Sequence, residues 1–128
     1  MVFENLDLRR MCIRINTKQY PDRELITDFR PASRNYTRAY MMLLDAVHKY
    51  QDTDTGTQIN IEDFASLYPI FHIDVSKHSD RLKDAPADLE LKWQLGSQPA
   101  NEYYVYVLVT SDRFLTLNTI NGKMNIIV

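Results

Sequence analysis

The stretch Asp88-Leu-Glu-Leu-Lys-Trp-Gln-Leu95 decides the fold, because its alternation of apolar and polar residues is the strictest in the chain. In a strand, the apolar residues of this stretch would project to one side and the polar residues to the other. One dry and one wet face are typical of an antiparallel sheet that packs on a core by one side. The pattern therefore predicts an antiparallel β protein.

Further apolar alternations and apolar runs lie on both sides of this stretch. The predicted strands are Arg10–Asn16, Glu24–Phe29, Ile70–Val75, Tyr103–Val109, Phe114–Ile120 and Lys123–Val128. Tyr20-Pro21-Asp22 is expected to interrupt the chain between the first two. Asn121-Gly122 predicts a hairpin turn, because both residues tolerate the positive φ of a type I′ turn. Tyr103–Val109 is apolar on both faces, which is typical of a strand that is packed on both sides.

Two segments have helical periodicity instead. From about residue 35 to residue 50, apolar residues recur every three or four positions and form one stripe. Ser33 or Asn35 is the expected N-cap of this long helix, and Asn60 begins a short helix over about 60–67. Strands in runs, without regular strand–helix alternation, argue against a parallel sheet. We expect a mainly β sandwich or barrel that carries one inserted helix.

Composition excludes several classes of protein. The 128 residues predict a single domain over residues 1–128, and 15 Lys and Arg against 17 Asp and Glu give a net charge of −2, unlike a basic nucleic-acid coat. One cysteine excludes an internal disulfide framework and a zinc site built on paired thiolates. No apolar run approaches the length of a membrane span, and the acidic N-terminal stretch does not resemble a signal peptide. A virion and an intracellular location both stay open.

His72, Asp74 and His78 are the strongest metal-ligand candidates. His72 and Asp74 are two positions apart on a predicted strand, so they would share a face, and imidazole with carboxylate suits zinc or iron. A site also needs a third ligand and groups that orient the ligands. The wet side of a strand already explains this pair. We therefore expect no metal and no cofactor, and the absence of a catalytic constellation predicts that the protein is not an enzyme.

Two further groups of residues suggest contacts with a partner. Tyr103, Tyr104 and Tyr106 would project to both faces of one predicted strand. Tyrosine is favoured at protein–protein interfaces. The core and rim of a sandwich would use these tyrosines equally well. The region 9–38 is locally basic and includes Arg34 and Arg38. Phosphate contacts would use such a region, but its arginines follow no nucleic-acid motif. Subunit contacts or a solvated face are the preferred interpretation.

The order and spacing of several segments resemble the C-terminal jelly roll of double-jelly-roll, hexon-like major capsid proteins, above all those of Polinton or Maverick-type elements and related DNA viruses. The segments are Ile13-Arg-Ile-Asn16, Tyr20-Pro21, Tyr36-Thr-Arg-Ala-Tyr40, Ile61-Glu-Asp-Phe64, Tyr68-Pro-Ile-Phe-His-Ile-Asp-Val-Ser76 and Arg113-Phe-Leu-Thr-Leu117. Relatives in animal genomes are mostly described as uncharacterised or transposon-derived. The resemblance implies a jelly-roll sandwich of about seven to eight strands, with the long helix inserted at about 35–50.

The same resemblance implies a structural, capsid-like protein that acts through subunit contacts and assembles as trimers. The length suffices for one jelly roll, which is one half of a double-jelly-roll subunit. Jelly rolls also serve as lectins and cupins, so a ligand-binding module is the alternative function. Nucleic-acid binding through region 9–38 is the less favoured one.

Overall fold

The structure is a computed structural model that describes residues 2–50, 59–77 and 87–110, together with two strands near the C-terminus. Its elements, in chain order, are β1 (Leu8–Ile15), β2 (Lys18–Ile26), α1 (Thr37–Tyr50), α2 (Ile61–Ser66), β3 (Leu89–Leu95), β4 (Phe114–Leu117) and β5 (Met124–Ile127). The side chains of residues 48–50, of β4 and of β5 are not described. Neither helix has the length and apolarity that a membrane crossing requires, among the residues described.

The main sheet is antiparallel and open, with the strand order β2-β1-β3. β1 lies in the centre and pairs with β2 on one side and with β3 on the other. β4 and β5 form a separate antiparallel pair, with Phe114 opposite Ile127. The predicted Asn121-Gly122 turn lies outside the described residues. The strand predicted over Asp88–Leu95 is confirmed as β3, whereas five strands are described instead of seven or eight.

β1 and β2 form a hairpin whose turn is Asn16-Thr17. Ile15 pairs with Lys18, and Asn16 has the positive φ of 54° that such two-residue turns require. The Asn16 side-chain oxygen accepts a hydrogen bond from the Asp88 amide at 3.0 Å, and the Asn16 amide donates to the Asp88 carbonyl at 2.8 Å. The hairpin turn is therefore fastened directly to the residue that precedes β3.

β2 includes the segment that was predicted to interrupt it. The strand begins at Lys18 rather than Glu24, and Pro21, which follows a cis peptide bond, lies inside it. The register of the pairing with β1 nevertheless shifts near this segment: Met11 is opposite Leu25, whereas Ile13, two residues later, is opposite Tyr20. A proline is tolerated in this position because β2 is an edge strand, where one missing N–H leaves no ladder bond unmade.

The helices pack on the sheet through a cluster of aromatic rings. Phe64 of α2 is completely buried, and the rings of Tyr36, Tyr40 and Phe71 lie 5.6–6.4 Å from its ring. Phe29 stacks on Tyr36 at 5.3 Å. The core cluster around Phe64 also contains Leu25, Ala39 and Leu43, with Met11 packed against it. The core thus joins β1 and β2 to both helices.

The capping predictions differ in outcome between the two helices. Asn60 caps α2 as expected, because its side-chain oxygen accepts from the amides of Glu62 and Asp63 at 3.0 and 2.7 Å. α1 begins at Thr37, so neither Ser33 nor Asn35 is its N-cap. Their polar groups are used elsewhere: the Ser33 hydroxyl donates to the Asp28 carboxylate, and the backbone of Asn35 pairs with that of Asp28.

The strand prediction for Ile70–Val75 is wrong. These residues have no regular secondary structure, and the Ile70 amide bonds only to the nearby Tyr68 carbonyl at 2.8 Å. Phe71 instead inserts its ring between Phe29 and Phe64, with an edge-to-face contact to each. Side-chain packing in the aromatic cluster fixes this segment in place of backbone pairing.

Replacing Phe64 by Ala should destabilise the protein by about 3–5 kcal/mol, because it leaves a cavity beside the three rings of Tyr36, Tyr40 and Phe71. Met41→Ala is the matched control, since Met41 lies on α1 with about half of its surface exposed; it should change stability by less than about 0.5 kcal/mol. Urea unfolding followed by circular dichroism measures both. Equal effects of the two variants would show that the aromatic cluster is not the core.

Asn16 offers a second test, because its backbone and its side chain act separately. Asn16→Gly keeps the positive φ and removes the hydrogen bond to Asp88, at a cost of about 1 kcal/mol. Asn16→Ala removes the same bond and adds a left-handed penalty of about 1–2 kcal/mol. The same unfolding experiment should therefore rank wild type above Gly and Gly above Ala. An alanine variant as stable as the glycine variant would contradict the assigned turn.

Candidate assembly surface

The most exposed apolar part of the described structure is the segment Tyr103–Val109. Tyr104, Tyr106 and Leu108 are 82%, 77% and 89% exposed. The other four residues, which are Tyr103 and three valines, are also exposed. Within the described part of the chain, no backbone hydrogen bond is made by any residue of this segment. Among the described residues, the seven residues therefore offer both apolar side chains and backbone groups without a hydrogen-bond partner.

The strand predicted over Tyr103–Val109 is consequently wrong as a description of this structure. The prediction rested on β-branched and aromatic residues, which suit a pleated, packed surface. A strand also needs a neighbouring backbone to pair with, and none of the described strands lies beside this segment. The composition of a buried strand is present without the partner that would bury it.

The outer edge of β3 is a strand edge without a neighbouring strand among the described residues. β3 pairs with β1 on one side and is the last strand of its sheet among the described residues. Its apolar side chains are only partly covered, with Leu89 41% and Trp93 44% exposed. The aromatic cluster that joins the helices to the sheet contains Leu25 of β2 and has Met11 of β1 packed against it, and within the described part of the chain it includes no residue of β3. An open edge with unpaired N–H and C=O groups is a template for another strand.

The N-terminal residues hold the chain that follows β3. The Gly96 amide donates to the Asp7 carbonyl at 2.8 Å, and a Cβ at this position would overlap the side chains of Asp7 and Arg9. Farther along, the Tyr106 ring meets the Phe3 ring edge-on at 6.5 Å. An open cleft of about 500 Å³ lies between residues 4–7 and 97–103, with mostly polar walls. Tyr103 lines this cleft, so the three tyrosines predicted as interaction residues do not share one environment.

The sequence also matches a known protein family. The model of the double jelly roll-like domain matches residues 1–115. The chain belongs to the double jelly roll-like domain family. Searches of curated proteins and of solved structures gave no match. The open antiparallel sheet with two helices is consistent with a jelly-roll family, and the family suggests a capsid-type structural fold.

In this double jelly roll-like domain, the predicted contact residues Arg34 and Arg38 have different surroundings. The guanidinium of Arg38 donates to the carbonyls of Arg23 and Glu24, each at 3.3 Å, so it fastens α1 to β2. Arg34 is exposed, and its amide donates to the Arg30 carbonyl. Arg38 therefore contributes to the fold of its own chain, whereas Arg34 lies on the surface.

Among the described residues, half of the eight basic residues of region 9–38 lie within ion-pair distance of a carboxylate, Arg30 through Asp28. Arg10 lies 3.7 Å from Glu24, and Arg14 lies 3.8 Å from Glu90. The bulge between Leu8 and Arg10 on β1 directs Arg9 toward Asp7 and Asp28, at 2.8 and 2.6 Å. Paired guanidinium groups are less available to phosphates than free ones, and nucleic-acid binding through this region stays an untested alternative.

Asp28 is the centre of this charged network, a result that the sequence analysis missed. Its carboxylate binds the Arg30 guanidinium through two bonds of 3.0 and 2.7 Å, and it also accepts from Ser33 and from the Arg30 amide. The Asp-x-Arg spacing is compatible with such a bidentate pair. The hydrogen bond from the Arg30 side chain is the largest cause that holds the pKa of Asp28 well below its usual 3.8. Burial opposes it as the second-largest cause, and the weaker hydrogen bonds from the Arg30 amide, Ser33 and Arg9 add to the lowering.

The metal-ligand candidates are only partly described. His72 is half-buried, and the Asp74 carboxylate accepts from the Ser76 amide at 2.8 Å. His78 lies outside the described residues. No group of three or more His, Cys, Asp or Glu side chains within the described ranges could hold a metal. The expectation of no metal stays a prediction.

Acid should remove the stabilisation that Asp28 provides. Because its pKa is lower in the folded chain, the ionised carboxylate stabilises the fold fully above its unfolded value of about 3.8, and this contribution disappears as the pH falls below it. Asp28→Asn should therefore lower the melting temperature at neutral pH, and the deficit should shrink steadily below about pH 4. Glu102→Gln, at an exposed position, is the control. A deficit that persists unchanged at about pH 2.5 would contradict this role.

Proposed function

We propose that this protein is a non-enzymatic structural component that works through contacts between copies of itself, in a capsid-type assembly. The observation that carries the proposal is the exposed segment Tyr103–Val109 in a chain of the double jelly roll-like family. The order of its segments supports a finer proposal, in which the chain is the C-terminal jelly-roll part of a hexon-like subunit of the Polinton or Maverick type and builds trimers.

The physical basis of the proposal is the cost of leaving this segment in water. Soluble monomers rarely expose contiguous apolar patches larger than a few hundred Å². The segment has no charged residue, and its three tyrosines belong to the residue type that interfaces favour. Covering it would remove apolar surface from water at about 25 cal/mol per Å². A role in subunit contact explains why such a sequence lies on the surface.

Sedimentation velocity of the full chain over a wide concentration range tests the function. We expect concentration-dependent assembly, and electron microscopy should show particles of uniform size. The double variant Tyr104→Ser with Tyr106→Ser should weaken assembly at least about tenfold, because two large apolar side chains leave the contact. The matched control is Met41→Ser with Ile70→Ser, which removes two other exposed apolar side chains. A chain that is monomeric at every concentration would overturn the proposal.

Salt separates this function from nucleic-acid binding. Contacts made by uncharged residues should persist, or strengthen, when the salt concentration is raised. Binding through the arginines of region 9–38 would instead weaken steeply with salt. Assembly measured from about 0.05 to 0.5 M NaCl should therefore stay constant or increase. Assembly that requires added nucleic acid and is lost at high salt would favour the alternative.

A further inference from the structure

Two segments of the chain, each seven residues long, have at least one edge without a neighbouring strand among the described residues. The outer edge of β3 extends over seven residues, and Tyr103–Val109 has the same length. The first feature is a set of ladder groups without a neighbour among the described strands, and the second is a strand-like sequence whose backbone makes no hydrogen bond within the described ranges. Each feature provides what the other lacks.

We propose that Tyr103–Val109 of one copy pairs with the outer edge of β3 in a second copy, and that the two copies exchange these segments reciprocally. The main sheet of each copy would then gain a fourth strand, in the order β2-β1-β3 followed by the exchanged segment. This inference rests on the proposed function, because it names the partner and the surface of the subunit contact. A reciprocal exchange is a closed, two-fold arrangement that satisfies both features in both copies, so it would join subunits of two neighbouring trimers rather than the subunits within one trimer.

The path of the chain favours a second copy over the chain's own β3. The Gly96 amide is bonded to Asp7, and the Tyr106 ring lies on Phe3, whose amide donates to the Leu67 carbonyl just after α2. The residues that follow β3 are therefore held toward the N-terminal residues and the end of α2. Pairing with its own β3 would require Tyr106 to leave this contact, whereas the largely exposed Tyr104 and Leu108 are accessible to another copy while the segment stays in place.

Size and charge also suit a second copy. Tyrosine side chains bury about 150–250 Å² each, so Tyr104 and Tyr106 of both copies would together bury about 600–1,000 Å². The valines, Leu108 and the exposed faces of Leu89 and Trp93 add to this, so the total approaches the roughly 1,200–2,000 Å² of stable interfaces. The segment brings no charge, while Lys92 and Glu90 on β3 lie 3.6 Å apart and partly exposed. No unpaired charge would be buried.

Proline substitutions test the backbone pairing. Consecutive N–H groups of a strand point to opposite sides, so one of Val107→Pro and Leu108→Pro must remove a donor that faces β3, and the other removes a solvent-facing donor. We expect one of the two to weaken dimerisation at least about tenfold. Val107→Thr is the matched control, because it keeps the branched shape and the backbone N–H; it should change the dissociation constant by less than about threefold.

Cysteine pairs test which β3 is used. Antiparallel pairing of two segments of equal length places Lys92 opposite Tyr106, so mixed Lys92→Cys and Tyr106→Cys proteins should form a disulfide between copies on mild oxidation. Ile70→Cys mixed with Tyr106→Cys is the control, since Ile70 is exposed and belongs to none of the described strands. The native Cys12 is buried, and burial raises the pKa of its thiol, so it should not compete.

The outcomes separate this inference from the proposed function. A cross-link between Lys92→Cys and Tyr106→Cys chains, together with one disruptive proline, supports the exchange. A bond that forms only within a chain carrying both cysteines, at high dilution, means that the segment returns to its own β3 and overturns the inference. Assembly that both proline variants retain in full also overturns it, yet leaves the proposed function standing. A wild-type chain that never associates overturns both.

Discussion

The fold depends on the complete burial of Phe64. α2 has only six residues and would not be stable alone. Its single buried ring meets the rings of Tyr36 and Tyr40, near and on α1, and that of Phe71, while Phe29 extends the cluster by stacking on Tyr36. Because Leu25 of β2 belongs to the same cluster, the helices are held against the sheet at its β2 side. Among the described residues, the β3 side receives no such cover, and the exposed surfaces of Leu89 and Trp93 follow from that asymmetry.

The charged residues of the first third of the chain serve the fold more than the surface. The bulge at Arg9 turns its guanidinium toward two aspartates, and Asp28 collects further donors from Arg30 and Ser33. This network joins the beginning of β1 to the loop that precedes α1. Counting basic residues along the sequence could not show this, because several partners, such as Asp28 for Arg9 and Glu90 for Arg14, are far away in sequence. Part of what resembles a basic patch is therefore a set of ion pairs.

The sequence predicts those elements whose cause is local. The alternation over Asp88–Leu95 identifies β3, and Asn60 identifies the start of α2, because a cap needs only its own next residues. Ile70–Val75 and Tyr103–Val109 also have strand-like sequences but form no strand. A period of two describes how side chains alternate, whereas a strand exists only where a second backbone lies beside it. The resemblance to capsid jelly rolls is confirmed at the level of the double jelly roll-like family.

Both ends of β3 are pinned, at Asp88 by Asn16 and at Gly96 by Asp7. Register slippage is the usual weakness of an edge strand, since a shift by one residue reverses which side chains face the core. Here such a shift would break hydrogen bonds at both ends at once and would drive a side chain into the space that Gly96 leaves open. The exposed edge therefore has a fixed register. A strand added to it would inherit that register, so in the proposed assembly the spacing between Asp88 and Gly96 would also set the alignment of the neighbouring copy.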